Sequence, residues 1–155
     1  MKIALIYISS LLLMVATVAF TMNWAESPNN LLIGEWEELS WQYEKIDPHP
    51  ENKSISIGTI DEYQKAEISQ ELIIHEAERW EFSPSGEIRL HKQNGTVESL
   101  WWRIKGRGHI LKLIHGTVNE HYQIQKLTAN LLEIHFNSDL QTRGIVKMTF
   151  RKKQK

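Results

Sequence analysis

The sequence predicts an all-β protein: an eight-stranded antiparallel up-and-down barrel with one short helix, preceded by an apolar N-terminal segment. Three observations lead to this prediction. From residue 78 onward, short segments alternate apolar and polar residues, which is the pattern of half-buried strands. Gly, Pro and Asn separate these segments at short intervals, as turns require. Residues 33–45 alternate in the same way, so about eight strands are available, enough to close a sheet without exposed edges.

The composition limits the partners and the chemistry. A chain of 155 residues with a formal net charge of -1 suits one globular domain, and a phosphate-binding protein needs a clear basic excess. We therefore predict no nucleic-acid partner. The absence of cysteine excludes disulfides and thiol catalysis, so the fold must rest on its core. Six Trp, four Tyr and four Phe supply large apolar area for that core.

The N-terminal segment predicts export. Residues 3–22 carry no charge, and about 20 apolar residues rising about 1.5 Å each would span a bilayer. Lys2 precedes the segment and Glu26 follows it, so the positive-inside tendency places the rest of the chain outside the cytoplasm.

Two readings of residues 1–22 are open. A cleaved signal peptide fits the position and the small-x-small site Thr17-Val18-Ala19, and we prefer it; an uncleaved anchor fits the length and the bulky residues nearby. In both cases we expect an extracytoplasmic location, in the periplasm, at the cell envelope or secreted. Membrane contact is expected only through residues 3–22, if they are retained.

The folded domain is predicted over residues 31–152, after a polar spacer at residues 23–30. Gly34 and Trp36 open its first strand. The strand continues with three residues that share one face: Leu39, Trp41 and Tyr43. Trp36 is out of phase with this set by one residue, which predicts a bulge near residues 37–38.

The connection at residues 46–76 is predicted to hold the helix. Its two prolines exclude a central strand at residues 46–59. Asp61 is a suitable cap for a short helix, after which Ile68 and residues 72–74 would pack on the barrel. A connection of this length usually has a role such as a lid or a rim.

Seven further strands form a tight meander. They are predicted at residues 79–82, 87–92, 99–105, 109–115, 120–127, 131–136 and 144–151. Asn94-Gly95 between two of them is a strong hairpin signal of the type I′ class.

Several short motifs lie along the predicted strands. They are Gly34-x-Trp36, Trp80-x-Phe82 with a following Ser-Gly turn, Trp101-Trp102, and Tyr122-x-Ile124 leading into Leu131-Leu132-x-Ile134. Together they resemble the small lipocalin-like domain proteins of bacterial envelopes, over roughly residues 31–152. The resemblance implies an eight-stranded barrel, export, and a cavity for an apolar ligand. It also implies that Gly34, Trp36 and Arg151 form the barrel floor, with the Arg151 cation over the Trp36 ring.

The inward aromatic residues are the candidate ligand-binding site. They are Trp41, Tyr43, Trp80, Phe82, Trp102, Tyr122, Phe136 and Phe150. An eight-stranded barrel is either filled by its side chains or holds one small ligand. Both remain open here, although large side chains favour a filled interior.

No metal site, cofactor or catalytic centre is predicted. His109 and His115 share a face, but they are about 20 Å apart along a strand, and no other histidine pair has ligand spacing. The chain has no nucleophile elbow, P-loop or paired-carboxylate motif.

Two functions follow. We expect a non-enzymatic, exported barrel that binds a small apolar or amphipathic ligand at the cell envelope. The alternative is a packed barrel that acts as a protein-interaction or structural module on the outer side of a membrane. Its contact surface would use the outward apolar residues Trp101, Ile110, Ile114 and Ile145.

Overall fold

The computed structural model describes Met14 and residues 26–45, 57–75, 77–138 and 144–154. Apart from Met14, the predicted signal peptide or anchor lies outside the described residues, as do residues 23–25 of the spacer and residues 46–56 of the first connection. Within the described ranges, no helix combines the length and hydropathy needed to cross a membrane.

The strands form one closed antiparallel barrel. In chain order the elements are α1 (Pro28–Leu32), β1 (Gly34–Lys45), β2 (Ile57–Thr59), α2 (Glu62–Ser69), β3 (Ala77–Phe82), β4 (Glu87–Lys92), β5 (Val97–Lys105), a 3-10 turn (Gly106–Gly108), β6 (Ile110–His115), β7 (Val118–Leu127), β8 (Leu131–Ser138) and β9 (Gly144–Lys152). Strands β3 to β9 pair in sequence order, and β1 pairs with both β3 and β9, which closes the barrel; β2 is a short addition to β1. The predicted eight-stranded antiparallel up-and-down barrel is confirmed.

One end of the barrel, which we call the floor, is covered by α1. The helix begins at Ser27, whose Oγ accepts the Asn30 N–H at 3.3 Å, with Pro28 in its first turn. Its last residue, Leu32, is fully buried, and the Leu32 carbonyl accepts the Trp36 indole N–H at 2.7 Å. We call the opposite end, where β1 ends and β9 begins, the mouth.

Strand β1 contains the predicted bulge, slightly later than expected. Its register against β9 shifts between Glu38 and Ser40, so Leu39 is the extra residue. Leu39 is therefore exposed, and its expected inward position with Trp41 is wrong. Glu38 instead shares the inward phase of Trp36.

The wall between β1 and β3 is completed by the first connection. Strand β1 pairs with β3 only through Gly34–Glu37, and towards the mouth its free edge pairs with β2. The Ile60 N–H also donates to the Trp41 carbonyl at 3.1 Å, which brings α2 to this edge.

The helix α2 begins where the sequence predicts. The Asp61 carboxylate accepts the Gln64 N–H at 2.8 Å, and the Gln64 side chain accepts the Asp61 N–H at 3.1 Å. This reciprocal capping box satisfies two free N–H groups of the first turn. Ile68, Ile73 and Ile74 are buried, as expected.

The hairpin at Asn94-Gly95 is present with a different turn. Gly95 has a φ of +82°, whereas Asn94 does not have a positive φ, and a type I′ turn needs both. The Gly95 N–H donates to the Lys92 carbonyl at 3.0 Å, which is the pattern of a type I turn followed by a left-handed glycine.

Candidate functional site

The floor half of the interior is filled by aromatic rings. Trp36, Trp80 and Phe150 are fully buried, and the Trp80 and Phe150 ring centroids lie 4.7 Å apart. Phe82 and Trp102 meet edge to face at 5.4 Å. Contacts at these distances fill the space between strands and contribute beyond their buried area.

The mouth half is less tightly closed. Phe136 contacts Trp41 at 5.9 Å and Tyr122 at 5.5 Å between ring centroids, and Tyr122 in turn contacts Trp80. Phe136 and Tyr43 are only partly buried, in contrast to the sealed rings of the floor half. Seven of the eight predicted ligand-binding residues thus form one connected set of ring contacts. Their role in binding stays a prediction.

Tyr43 lies against the start of β9. A Cβ built on Gly144 would overlap the Tyr43 ring. Glycine at this position therefore gives the Tyr43 ring its place at the mouth, where β1 and β9 close the barrel.

An ion pair lies inside the mouth half. The Lys65 Nζ of α2 is 2.7 Å from the Glu38 Oε1 of β1, with 8% and 12% of the two side chains exposed. The same ammonium lies 5.6 Å from the centroid of the Trp41 ring. The Lys65 ammonium of α2 therefore lies in the gap between β1 and β3, next to the bulge of β1.

The surroundings of Glu38 disfavour its charged form. Burial raises the pKa of Glu38, the Lys65 ammonium and the Trp41 indole N–H oppose this effect, and Glu78 adds to it. The Trp41 Nε1–H lies beside the Glu38 carboxylate and stabilises its charge, although within the described residues neither it nor Glu38 Oε2 makes a hydrogen bond of good geometry. Buried polar atoms of this kind are rare in folded proteins and need an explanation.

A second polar group connects the mouth to the residues after α2. The Glu120 carboxylate accepts the Ile73 N–H at 2.8 Å and the Tyr122 hydroxyl at 2.5 Å. Burial raises the pKa of Tyr122 well above its usual value, and the negative charge of Glu120 adds to this. Residues 72–74 are therefore held across the inner edge of the mouth.

Sequence reasoning did not identify Glu38, Lys65 or Glu120. For Glu38, the sequence does contain a signal. Trp36 and Glu38 are two residues apart, so they share the inward phase of the strand once the bulge is placed after them, at Leu39. A carboxylate in an inward position requires a buried partner.

Of the three predicted floor residues, Gly34 and Trp36 lie at the floor, whereas Arg151 does not lie over the Trp36 ring. Arg151 points outwards towards Glu37, and its side chain is 62% exposed. The cation over Trp36 belongs to Lys152, whose Nζ lies 5.2 Å from the ring centroid and donates to the Leu31 carbonyl at 2.7 Å. The reason is strand phase, because β9 turns alternate residues inwards from Gly144 to Lys152, so that Arg151 must face out.

Gly34 is required by this floor. It has a φ of +124°, which side chains rarely adopt, and a Cβ there would lie 2.8 Å from the Lys152 Cε. Burial lowers the pKa of Lys152, and the nearby Glu26 carboxylate opposes that effect.

The outward apolar residues are spread over the barrel. Trp101 is 58% exposed and pairs across the sheet with Ile114, whereas Ile145 lies on β9 and Ile110 at the opposite end of β6. An open groove of about 860 Å³ runs beside Trp101 at the floor end. Its lining includes Asn29, Asn30, Ile33, Ser85, Gly86, Trp102, Arg103 and Ile114.

Metal ligation finds no support in this geometry. Across the described ranges, no three His, Cys, Asp or Glu side chains come together as a metal site requires. His91, His115 and His135 each lie near one carboxylate, as His135 does with Glu133 at 2.7 Å.

Comparison with known proteins gives similarities of fold only. A lipocalin-like protein from Bacteroides uniformis matches with a TM-score of 0.43 and 13% identity, over 79% of this chain and 99% of that one. An uncharacterized protein from Bacteroides eggerthii matches with a TM-score of 0.42 and 10% identity, over 78% and 98%. Bovine odorant binding protein, in complex with a selenium-containing odorant, matches with a TM-score of 0.44 and 12% identity, over 84% and 76%.

No protein-family model matches the chain, and no curated protein matches its sequence. The class of the protein is therefore defined by its own topology. Eight up-and-down strands closed between the first and the last are a lipocalin-like barrel.

Proposed function

We propose that this barrel binds a small amphipathic molecule in the mouth half of its interior, and that it acts as a binding protein rather than an enzyme. The apolar part of the ligand would lie against Trp41, Tyr43 and Phe136. The polar part would lie at the Glu38–Lys65 pair.

The observation that carries this proposal is the difference between the two halves of the interior. The aromatic rings of the floor half are buried, whereas Phe136 and Tyr43, which lie on the inward phase of the mouth half, remain partly exposed. The mouth half also holds a buried polar group, the Glu38 carboxylate with the Lys65 ammonium and the Trp41 indole N–H beside it. Apolar walls with a few convergent polar groups are typical of small-molecule sites.

A dye titration tests the proposal. N-phenyl-1-naphthylamine is neutral and apolar, and its fluorescence rises on entering an apolar site. We expect saturable binding of one dye per chain, and at least about tenfold weaker binding to Phe136→Asp, because the aspartate places a charge in the apolar site.

Trp101→Ser is the matched control, since Trp101 lies outside the barrel and should not affect the titration. Absence of saturable binding to the parent would refute the proposal. Loss of dye binding in Trp101→Ser, with binding retained in Phe136→Asp, would indicate that the dye binds in the outer groove beside Trp101.

We also propose that the chain is exported and works at the cell envelope. The support is the uncharged segment at residues 3–22 with Lys2 before it. Mass spectrometry of the protein isolated from fractionated cells tests this. A mature N-terminus near residue 20 in the periplasm or medium would support a signal peptide, an intact Met1 in membranes an anchor, and an intact Met1 in the cytosol would refute export.

A further inference from the structure

Strand β5 has a free edge at the floor end of the barrel. Its pairing with β4 runs from Trp101, opposite Glu87, towards the mouth, so β4 does not extend along Trp102–Lys105. On its other side, β5 pairs with β6 as far as Lys105. Among the described strands, the last part of β5 therefore has a neighbour on one side only.

The backbone of Ile104 points to this free edge. Along a strand, the N–H and C=O groups of successive residues point to opposite sides. The Trp102 N–H donates to the Gly86 carbonyl at 2.8 Å, which is on the β4 side. Ile104, two residues further along, presents its N–H and C=O on the same side, where no described strand lies beside it. Groups of this kind are the ones that a further strand would bind.

The outer groove beside Trp101 leaves space for another chain along this edge. Ile104 is one of its lining residues, so a strand added there would lie in the groove. The turn between β3 and β4 and the helix α1 form the other walls, and Ile33 adds an apolar side chain. The groove measures about 860 Å³ and is open to solvent.

The cations around this edge are not neutralised by carboxylates. Arg103, Lys105 and Lys112 lie on the outward phase, and Arg103 and Lys112 are opposite each other in β5 and β6. In the described part of the chain none of the three forms an ion pair, whereas Lys92 and Lys147 elsewhere on the barrel do. Like charges opposite each other are unfavourable, so this surface favours an anionic partner.

From the free edge and these charges we infer that β5 binds an extended acidic peptide of a partner protein, which adds a strand to the barrel. In antiparallel pairing, the peptide residue opposite Ile104 exchanges two backbone hydrogen bonds with it. The side chain of that residue lies on the face of Ile104, where Ile33 also lines the groove. Its two neighbours point outwards beside Arg103 and Lys105, so the recognised sequence is acidic–apolar–acidic.

A second copy of the same edge fits this site poorly. Antiparallel pairing of two β5 edges would bring the Arg103 and Lys105 cations of two chains together, which is unfavourable. Charged side chains on edge strands usually prevent such self-pairing. An anionic lipid surface would be attracted by the cations, but it would make no use of the Ile104 backbone. The backbone contact therefore separates a peptide from other anions.

Two peptides that differ by one methyl group test this contact. Both have the sequence SSEVESS with a rhodamine label and an amidated end, and the second contains N-methylvaline, which has no N–H to donate to the Ile104 carbonyl. Fluorescence anisotropy follows their binding to the full chain at about 0.15 M ionic strength, where distant charges are screened. We expect saturable binding of the first peptide and at least about tenfold weaker binding of the second.

Arg103→Glu tests the charges, and Lys126→Glu on the outer face of β7 is the matched control with the same change in net charge. Arg103→Glu should bind SSEVESS at least about tenfold more weakly than the parent, whereas Lys126→Glu should differ by less than about twofold. Antiparallel pairing places the residue after valine beside position 103. Arg103→Glu should therefore bind SSEVKSS more tightly than the parent does, but should not gain affinity for SSKVESS, which has the same composition.

Circular dichroism checks that Arg103→Glu is folded, and the comparison of the two valine peptides needs no variant. Equal binding of the methylated and unmethylated peptides would show that the cations attract anions without adding a strand, and would overturn the inference. Equal loss of binding in Arg103→Glu and Lys126→Glu, or no saturable binding to the parent, would overturn it as well.

Discussion

Lys152 is the residue that joins the two ends of the folded domain at the floor. Its ammonium donates to the Leu31 carbonyl and lies over the Trp36 ring, while its stem passes Gly34. We expect Lys152→Ala to lower the free energy of unfolding by about 1–2 kcal/mol, because it removes one hydrogen bond and one cation–π contact. Urea unfolding followed by tryptophan fluorescence measures this.

Arg151→Ala is the matched control for that prediction. The Arg151 side chain is exposed, and its nearest carboxylate, on Glu37, is 3.7 Å away. We expect a change within about 0.5 kcal/mol, since exposed ion pairs contribute little. A larger loss of unfolding free energy for Arg151→Ala than for Lys152→Ala would instead support the arrangement that the family resemblance implied, with Arg151 over the Trp36 ring.

Glu38 makes the stability depend on pH with a definite sign. Burial raises its pKa in the folded chain, so the folded chain holds this proton more tightly than the unfolded chain does. The resulting stability is present at low pH and is lost as pH rises through the unfolded and then the folded pKa.

Glu38→Gln has no proton to lose and therefore serves as the reference. The free energy of unfolding of the parent, measured relative to Glu38→Gln, should fall as the pH rises from about 4 to about 7. Urea titrations at a series of pH values follow the difference. A difference that grows with pH would mean that Lys65 outweighs burial.

The helix α2 shows what local sequence can predict about an element. Asp61 and Gln64 form the capping box, and both residues of the motif are visible in the sequence. Asp61→Ala should destabilise the helix by about 1 kcal/mol, whereas Glu67→Gln on its exposed face should change little. Amide exchange in α2 measures both, and equal effects would show that the cap does not limit helix opening.

Strand phase was predictable for a similar local reason. Alternation identifies the buried side of β3 to β9, and residues such as Trp80, Leu90 and Met148 are fully buried as expected. The same rule excludes Arg151 and selects Lys152, once the inward set of β9 is extended by one step. Leu39 was misplaced because the position of a bulge within β1 depends on its pairing with β9, not on its own sequence.

The closure of the molecule depends on the contact between β1 and the start of β9. Gly144 leaves space for the Tyr43 ring, and a methyl group there would overlap it. We expect Gly144→Ala to cost about 1–3 kcal/mol through overpacking. The double variant Tyr43→Ser/Gly144→Ala should recover part of that loss in urea unfolding. No recovery would indicate that the backbone of β9, not the ring, requires glycine.

The polar centre of the mouth half could not be predicted because it depends on the whole fold. Glu38 and Lys65 are 27 residues apart in sequence, and they meet only because β3 leaves the β1 edge after Glu37. Lys65 also lies on a helix with mostly exposed neighbours, where a lysine usually faces solvent. The missing part of the β1–β3 ladder is thus what brings charge into the barrel.

The short pairing between β1 and β3 predicts that α2 and strand β9 open with different free energies. Strand β9 pairs along most of β1 and all of β8, whereas α2 is joined to the barrel through three residue pairs of β2, the Ile60 N–H, Lys65 and the buried Ile68. Local opening needs less free energy where fewer contacts are lost. In hydrogen exchange, amides of Glu62–Ser69 should therefore exchange at least about tenfold faster than those of Gly144–Lys152. Equal exchange in the two segments, with the same dependence on urea, would show that α2 unfolds only together with the barrel and does not open on its own.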